Sequence, residues 1–311
     1  MRRFLLLRLA QAGIVTLVVG AACFALMRML PGDPAMRIAA GRYGPDAQIA
    51  QAAERVRLEL GLDRPLAVQF LDWLGDLARF DLGHSLVTGA PVLEELKVQL
   101  GASAWLAFWA VAVSLLIGPL AGVLAGMRPG GMADRAGLAL SIGLRAVPPF
   151  LLALGLMLVF AVGLRLLPAA GYGTARQMVL PALTLGLGLA AVSSRVTRNA
   201  VATVTHAPHY LFARHKGLPE AALIRRHGLR NAATPVIAYL GVQAIYLVEG
   251  VVVVESIFAF PGIGHALVHA IVERDVPMVQ GTALVMGLMF VAITAMVDAI
   301  TAWLDPRPRS A

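Results

Sequence analysis

Two histidines spaced four apart, His265 and His269, would share one face of a helix, which is the beginning of a metal site. Without a third ligand they read as solvated loop histidines. The single cysteine, Cys23, sits inside an apolar run, where it can neither cross-link internally nor complete a ligand set. Arg145, Glu249, Glu255 and Asp298 fall within or at the edges of apolar stretches. Ionisable groups in such places are rare, and they mark polar pairs, cavities or ion paths. Asp298 suits either a structural pair with a cation or a functional role. Arg145, three residues before Pro148-Pro149, either lines a cavity or lies near the surface at the end of its helix. Glu249 could face a polar path and meet an amine, whereas Glu255 belongs at the outer end of its run. No G-x-x-x-x-G-K-[ST] loop is present, so the chain cannot hydrolyse ATP itself. Nothing resembles a nucleophile triad or a paired-carboxylate site, and the chain reads as a non-enzyme.

The most polar segment after residue 100 runs from His206 to Asn231 and is rich in arginine. A helical piece from about Pro208 to Lys216 should stop at Gly217, because glycine is favoured just past a helix end. A second piece should begin near Pro219, since proline suits a first helical turn. Two short basic helices joined at a glycine make either an ordinary cation-rich loop or a docking element for a partner.

The elements that carry these residues are dictated by composition. Hydrophobic residues are 59% of the chain, charged residues 14%, and the mean hydropathy is +0.76. That excess of apolar side chains must face something other than water. Six runs are long enough to cross a bilayer: about Leu9–Leu30, Ala102–Met127, Ala136–Val162, Met178–Ser194, Ala233–Phe258 and Gly281–Trp303. Pro148-Pro149 inside the third run predicts a kink. Residues 1–34 form an N-terminal segment with the first span, and Pro31-Gly32-Asp33-Pro34 stops it. Residues 35–98 hold half of the acids and read as an extramembrane loop with helical stretches, among them an interfacial helix near Pro65–Leu82 with Trp73 at headgroup level. Residues 99–305 form the membrane core, with a loop at 200–232, and 306–311 are a tail.

The net charge of +8 could suggest nucleic acid, but the arginines lie between apolar runs, the positive-inside pattern. On one side, the N-terminus, the second-to-third loop, the 195–230 segment and the tail carry fourteen lysines and arginines. The other side carries Arg165, Arg176 and Arg274, leaving aside the long loop. This asymmetry predicts both termini in the cytoplasm and agrees with an even number of spans.

The stretch Ala213-Arg-His-Lys-Gly-Leu218, followed by Arg226-His-Gly-Leu-Arg-Asn-Ala232, resembles the EAA-type loop of ABC-importer permeases in its peptide-importer form. Leu30-Pro-Gly-Asp-Pro34, Leu60-Gly-Leu-Asp-Arg-Pro65, Asp81-Leu-Gly-His-Ser85 and Leu167-Pro-Ala-Ala-Gly-Tyr-Gly173 extend the likeness. So do Val179-Leu-Pro-Ala-Leu-Thr184, Glu255-Ser-Ile-Phe-Ala-Phe-Pro-Gly-Ile-Gly264 and Leu304-Asp-Pro-Arg307. Together they resemble the dipeptide/oligopeptide/nickel permease family, of the subunit type with a long first periplasmic loop.

The resemblance implies an all-α integral membrane protein of about six transmembrane helices with the type I ABC importer permease fold, multi-pass in a bacterial inner membrane. It implies a second homologous permease subunit, two ATP-binding subunits that hold ATP and magnesium, and a periplasmic substrate-binding protein. Membrane lipid surrounds the chain, which itself binds no cofactor and no nucleic acid. The substrate class implied is di- and oligopeptides, with nickel, opines or glutathione as alternatives. The coupling segment would comprise Pro208, His209, Tyr210, Ala213, Arg214, His215, Lys216, Gly217, Leu218, Arg226, Arg230 and Asn231. Arg145, Glu249 and Asp298 are the candidates for a translocation path. The sequence departs from the family at Pro208-His209 and Leu211-Phe212, and the leading glutamate of the loop is absent. Two rivals from other classes fare worse. An ion-gradient transporter needs inverted repeats and midplane ion ligands, and a membrane enzyme needs clustered catalytic groups; neither pattern is seen.

Overall fold

The computed structural model describes residues 2–29, 32–43, 49–59, 61–217, 219–223, 236, 239, 243, 247 and 250–304. Among the described residues the chain is helical and contains no strand, only an isolated bridge between His84 and Pro91. The helices are α1 (Arg2–Met29), α2 (Pro34–Tyr43), α3 (Ile49–Glu59), α4 (Leu66–Ala78), α5 (Val92–Met127) and α6 (Met132–Ala146). After them come α7 (Pro149–Leu156), which continues as a π-helix over Met157–Gly163, and α8 (Ala175–Thr205), α9 (Pro208–His215) and α10 (Glu220–Leu223). Residues 250–257 are helical, and α11 (Ile263–Glu273) and α12 (Val276–Leu304) complete the series.

Four of these helices, α1, α5, α8 and α12, are long and apolar enough to cross a membrane. The third expected run is not one kinked helix. It is the pair α6 and α7, bent by 104° at a short break. The cause is local. Proline forces its preceding residue out of the α region, and here that happens twice in succession, at Val147 (ψ 122°) and Pro148 (ψ 146°). Pro149 then occupies the first helical position of α7, where its missing N–H costs nothing. Most of the fifth expected run lies outside the described residues.

The chain divides into two compact units. The first comprises residues 1–103 and 261–291. Its loop region packs Ala35, Ile38 and Ala39 of α2 on Ala53 and Val56 of α3. Asp33 joins these helices, accepting the Ala35 N–H at 3.1 Å and the Arg57 guanidinium at 2.5 Å. In α4, Phe70 meets Phe24 of α1 edge-on and stacks with Trp73, whose indole lies against Gly20. A second core brings Val92 and Leu96 of α5 together with Ile263, Ala266 and Ala270 of α11 and Met278 of α12. Asp275, 2% exposed, accepts the Ser85 hydroxyl at 2.5 Å and the N–H groups of Leu86 and Met278, so one carboxylate caps α12 and ties the 81–91 loop to it.

The second unit comprises residues 104–260 and 292–311, and α8 runs through its centre. Half of the most apolar stretch of α8 is buried within the protein, against 6% for α1, so α8 is enclosed by neighbours where α1 offers its leucines to lipid. The contact with α5 is made by glycines one turn apart, Gly118, Gly122 and Gly126. A Cβ on Gly122 would stand 2.5 Å from both the Ser194 carbonyl oxygen and the Thr197 Cβ, and one on Gly126 would stand 2.7 Å from the Arg198 carbonyl oxygen. Small residues at this spacing let two membrane helices approach to backbone contact, where dispersion is strongest without a hydrophobic driving force. Ser114 and Ser193 complete the seam with a buried hydroxyl pair at 3.3 Å.

Gly122→Leu should therefore destabilise the chain by about 1–3 kcal/mol through overpacking. Gly143→Ala in α6, where an added Cβ meets no atom within 4 Å, should change stability by no more than about 1 kcal/mol. Thermal unfolding of the two variants in one detergent checks the contrast; equal losses would mean that α5 and α8 are not held at backbone contact.

Candidate functional site

The candidate segment begins where α8 ends. His206 closes α8, and its Nδ1 lies 2.7 Å from the Ala202 carbonyl oxygen. Pro208 then takes the first turn of α9, supplying a pre-set φ where no N–H is needed. Lys216 caps α9 at its C-terminal end and Gly217 follows with φ +82°. That left-handed conformation is available to glycine and strained for any residue with a Cβ. The short α10 follows, with the Pro219 carbonyl accepting from Ala222 and Leu223.

The two faces of α9 differ. Tyr210 is 1% exposed and Ala213 is 9% exposed; with Leu223 of α10 and Val204 of α8 they form a small core of their own. These two residues of the expected coupling segment therefore face inward and hold α9 to its neighbours. Pro208, Leu211, Phe212, Arg214, His215, Lys216 and Gly217 are exposed. Phe212 is 62% exposed although large and apolar, and the Lys216 ammonium sits 4.6 Å above its ring centre. The outward face is thus an aromatic ring beneath a cation, flanked by further bases. His209 lies in α9, and its side chain is outside the described residues, as are Leu218, Arg226, Arg230 and Asn231.

α8 is fixed at its base by an ion pair that the sequence reading did not anticipate. Arg198 on α8 grips Asp134 in the first turn of α6 as a fork, with Nε at 2.8 Å and Nη2 at 2.6 Å. The Gly130 N–H adds a third bond to the same carboxylate at 2.7 Å. Asp134 is 2% exposed, and both of its oxygens are satisfied, the arrangement that makes a buried charge tolerable. Farther along, the Ser141 hydroxyl donates to the Ala191 carbonyl at 2.5 Å, a second clasp between the same helices.

The path candidates lie on separate elements. Arg145 lies in the last turn of α6, exposed, beside the 104° break. Asp298 is half-buried in α12, and the Glu249 side chain lies outside the described residues. Glu255, expected at an outer end, is completely buried within the 250–257 helical stretch. His265 and His269 do share a face of α11, with ring centres 4.3 Å apart. Partial burial, and then the neighbouring His269, push the His265 pKa below its ordinary value. No group of three or more histidine, cysteine or acidic side chains suited to a metal occurs among the described residues.

Comparison with known proteins places these features in a family. A model described as "binding-protein-dependent transport system inner membrane component" matches residues 118–310, and one for the N-terminal part of such membrane components matches residues 1–96. A putative peptide transport system permease protein of Brucella abortus (strain 2308) is 38% identical over 317 residues, covering 99% of each chain. A glutathione transport system permease protein of Pectobacterium atrosepticum is 38% identical over 293 residues, covering 94% of each. Among solved structures, an amino acid ABC transporter shares the fold with a TM-score of 0.53 and 17% identity, over 68% of this chain and 94% of that one. The MetNI methionine ABC transporter, in an inward-facing form, does so with 0.54 and 19%, over 68% and 97%.

Breaking the clasp between α6 and α8 by Asp134→Asn or Arg198→Met should lower the apparent unfolding temperature by several degrees, because each leaves a buried or half-buried partner uncompensated. The double variant Asp134→Leu/Arg198→Met should recover much of that loss. A thermal series in detergent on the three proteins checks it; a double variant as unstable as both singles combined would show that the pair is not a coupled unit.

Proposed function

The chain belongs to the family of binding-protein-dependent transport system inner membrane components, and on that premise we propose that it is one of two permease subunits of an ATP-driven importer of peptides. The family places it in the inner membrane as a transport subunit. Relatives named for peptide and for glutathione transport support a substrate carrying peptide-like groups, since glutathione is itself a small peptide. The second permease, the two ATP-binding subunits that carry ATP and magnesium, and the substrate-binding protein that delivers cargo are the partners this reading requires. The gradient-driven alternative draws no support from the relatives. Nickel and opines remain the other cargoes for the same architecture.

The observation that carries the mechanism is the two-faced α9. A helix that moves under load must be held by its own subunit on one side and offer chemistry to a partner on the other. Tyr210 and Ala213 supply the hold; Phe212, Arg214, His215 and Lys216 supply the offer. An exposed aromatic ring ringed by bases suits an acidic, partly apolar groove on an ATP-binding subunit. Closure of the ATPase pair would drag α9, and the small core against Val204 and Leu223 would pass that displacement into α8. The lysine and arginine asymmetry supports placing this segment and both termini in the cytoplasm. The loop at 35–98 and the segment 259–280 then face the binding protein.

Gly217→Val should reduce ATP-driven uptake at least tenfold while membrane insertion is retained, because a β-branched residue is strained at φ +82° by roughly 1–2 kcal/mol or more. Arg214→Glu/Lys216→Glu should do the same through charge reversal at the partner surface. Uptake of a labelled dipeptide into membrane vesicles containing all subunits, with membrane quantity of the chain measured in parallel, decides the matter. Normal uptake in both variants would remove the coupling role from α9.

A further inference from the structure

A cavity of about 180 Å³ opens at the break between α6 and α7. Its wall includes Arg145 and Pro149 at the break, Thr184 and Leu189 on α8, and Tyr239 and Gln243 from the segment that follows. Among the described lining residues Arg145 is charged and none is acidic. Its remaining lining is mainly leucine, valine and glycine.

Gln243 gives the cavity its second polar feature. The side chain is 3% exposed, and its Nε2 donates to the Leu189 carbonyl oxygen at 2.8 Å. That bond fixes which end of the amide is the donor. The Oε1 at the other end is buried and has no hydrogen-bond partner. A buried acceptor left empty in this way is uncommon and calls for a ligand or a water. The Leu189 carbonyl belongs to α8, so the same bond holds Gln243 to the helix that leads to α9.

A cation and an unpaired acceptor on residues that line one apolar cavity describe a ligand with an anionic group and an N–H. We propose that this cavity receives the carboxylate end of a translocating peptide, with Arg145 pairing with the carboxylate and Gln243 Oε1 accepting a peptide N–H; the proposal rests on the peptide reading given above. The cavity has room for a carboxylate and the adjoining peptide unit. Recognition confined to one end leaves the length and side chains of the rest of the cargo free.

The test uses the complete transporter, both permeases with their ATP-binding subunits, in nanodiscs without nucleotide and without the binding protein. Calorimetric affinities are measured for the dipeptide Ala-Ala and for its C-terminal amide. The wild-type complex should prefer the free carboxylate by tenfold or more. Arg145→Gln should abolish that preference, Arg145→Lys should keep part of it, and Gln243→Leu should weaken both probes several-fold without altering their ratio. Equal affinity of the wild type for acid and amide, or an unchanged preference in Arg145→Gln, would overturn the site. So would absence of Ala-Ala binding in a complex that still imports Ala-Ala with ATP when its binding protein is restored. If the restored wild-type system imports neither Ala-Ala nor glutathione, the peptide reading itself fails, and this site fails with it.

Discussion

Backbone contact between α5 and α8 is the constraint around which the second unit is built. In hydrocarbon, apolar side chains gain nothing from meeting one another instead of lipid, so helices associate where they can come close and pair polar groups. Gly118, Gly122 and Gly126 clear one face of α5 for that approach, and Ser193, Thr197 and Val201 of α8 occupy the space. The enclosure of α8 follows, and with it a fixed surface on which α6 can be clasped. Three further polar groups on α8 then find partners: Arg198 its carboxylate, the Ala191 carbonyl the Ser141 hydroxyl, and the Leu189 carbonyl the Gln243 amide.

The buried acids in the two units act as organisers. Asp134 and Asp275 each join segments distant in sequence, and each does so by accepting at least three hydrogen bonds on one carboxylate. A charge so fully solvated by protein is specific about what surrounds it, because any rearrangement leaves an acceptor empty in a low-dielectric place. Asp33 does the same on a smaller scale at the start of α2. These acids account for how an apolar chain keeps irregular loops in one conformation.

What could be read from the sequence was whatever is encoded locally. Pro208, Gly217 and Pro219 marked the bounds of α9 and the start of α10 to within a residue, since proline and glycine act through their own backbone. Apolar runs gave α1, α5, α8 and α12 for the same reason. The family likeness was legible too, because its motifs sit at those turns. What stayed hidden depends on partners far along the chain. Asp134 and Arg198 are 64 residues apart, and nothing near either announces the other. Pro148-Pro149 showed that the third run would bend, but a kink became a 104° break because two consecutive residues were displaced from the helical region. Tyr210 belongs to the expected coupling segment by position, but its burial depends on α10 folding back onto α9. The glycine ladder of α5 did carry a signal, three glycines at intervals of four, and it passed unnoticed among the many glycines of the chain.

α8 carries two things at once. Thr184, Gly188 and Val192 wall the cavity beside Arg145, and Val204 packs into the core under α9. At 1.5 Å per residue, Thr184 and Val204 stand about 30 Å apart on one unbroken helix. A rod of that kind needs no relay of side chains between its ends. Tilting it at one end repositions the other within the same motion, so the grip on α9 and the shape of the cavity are two readings of a single coordinate. The cavity wall and the hold on α9 are thus parts of one rigid element, and the stiffness of that helix sets how faithfully a tilt at one end appears at the other.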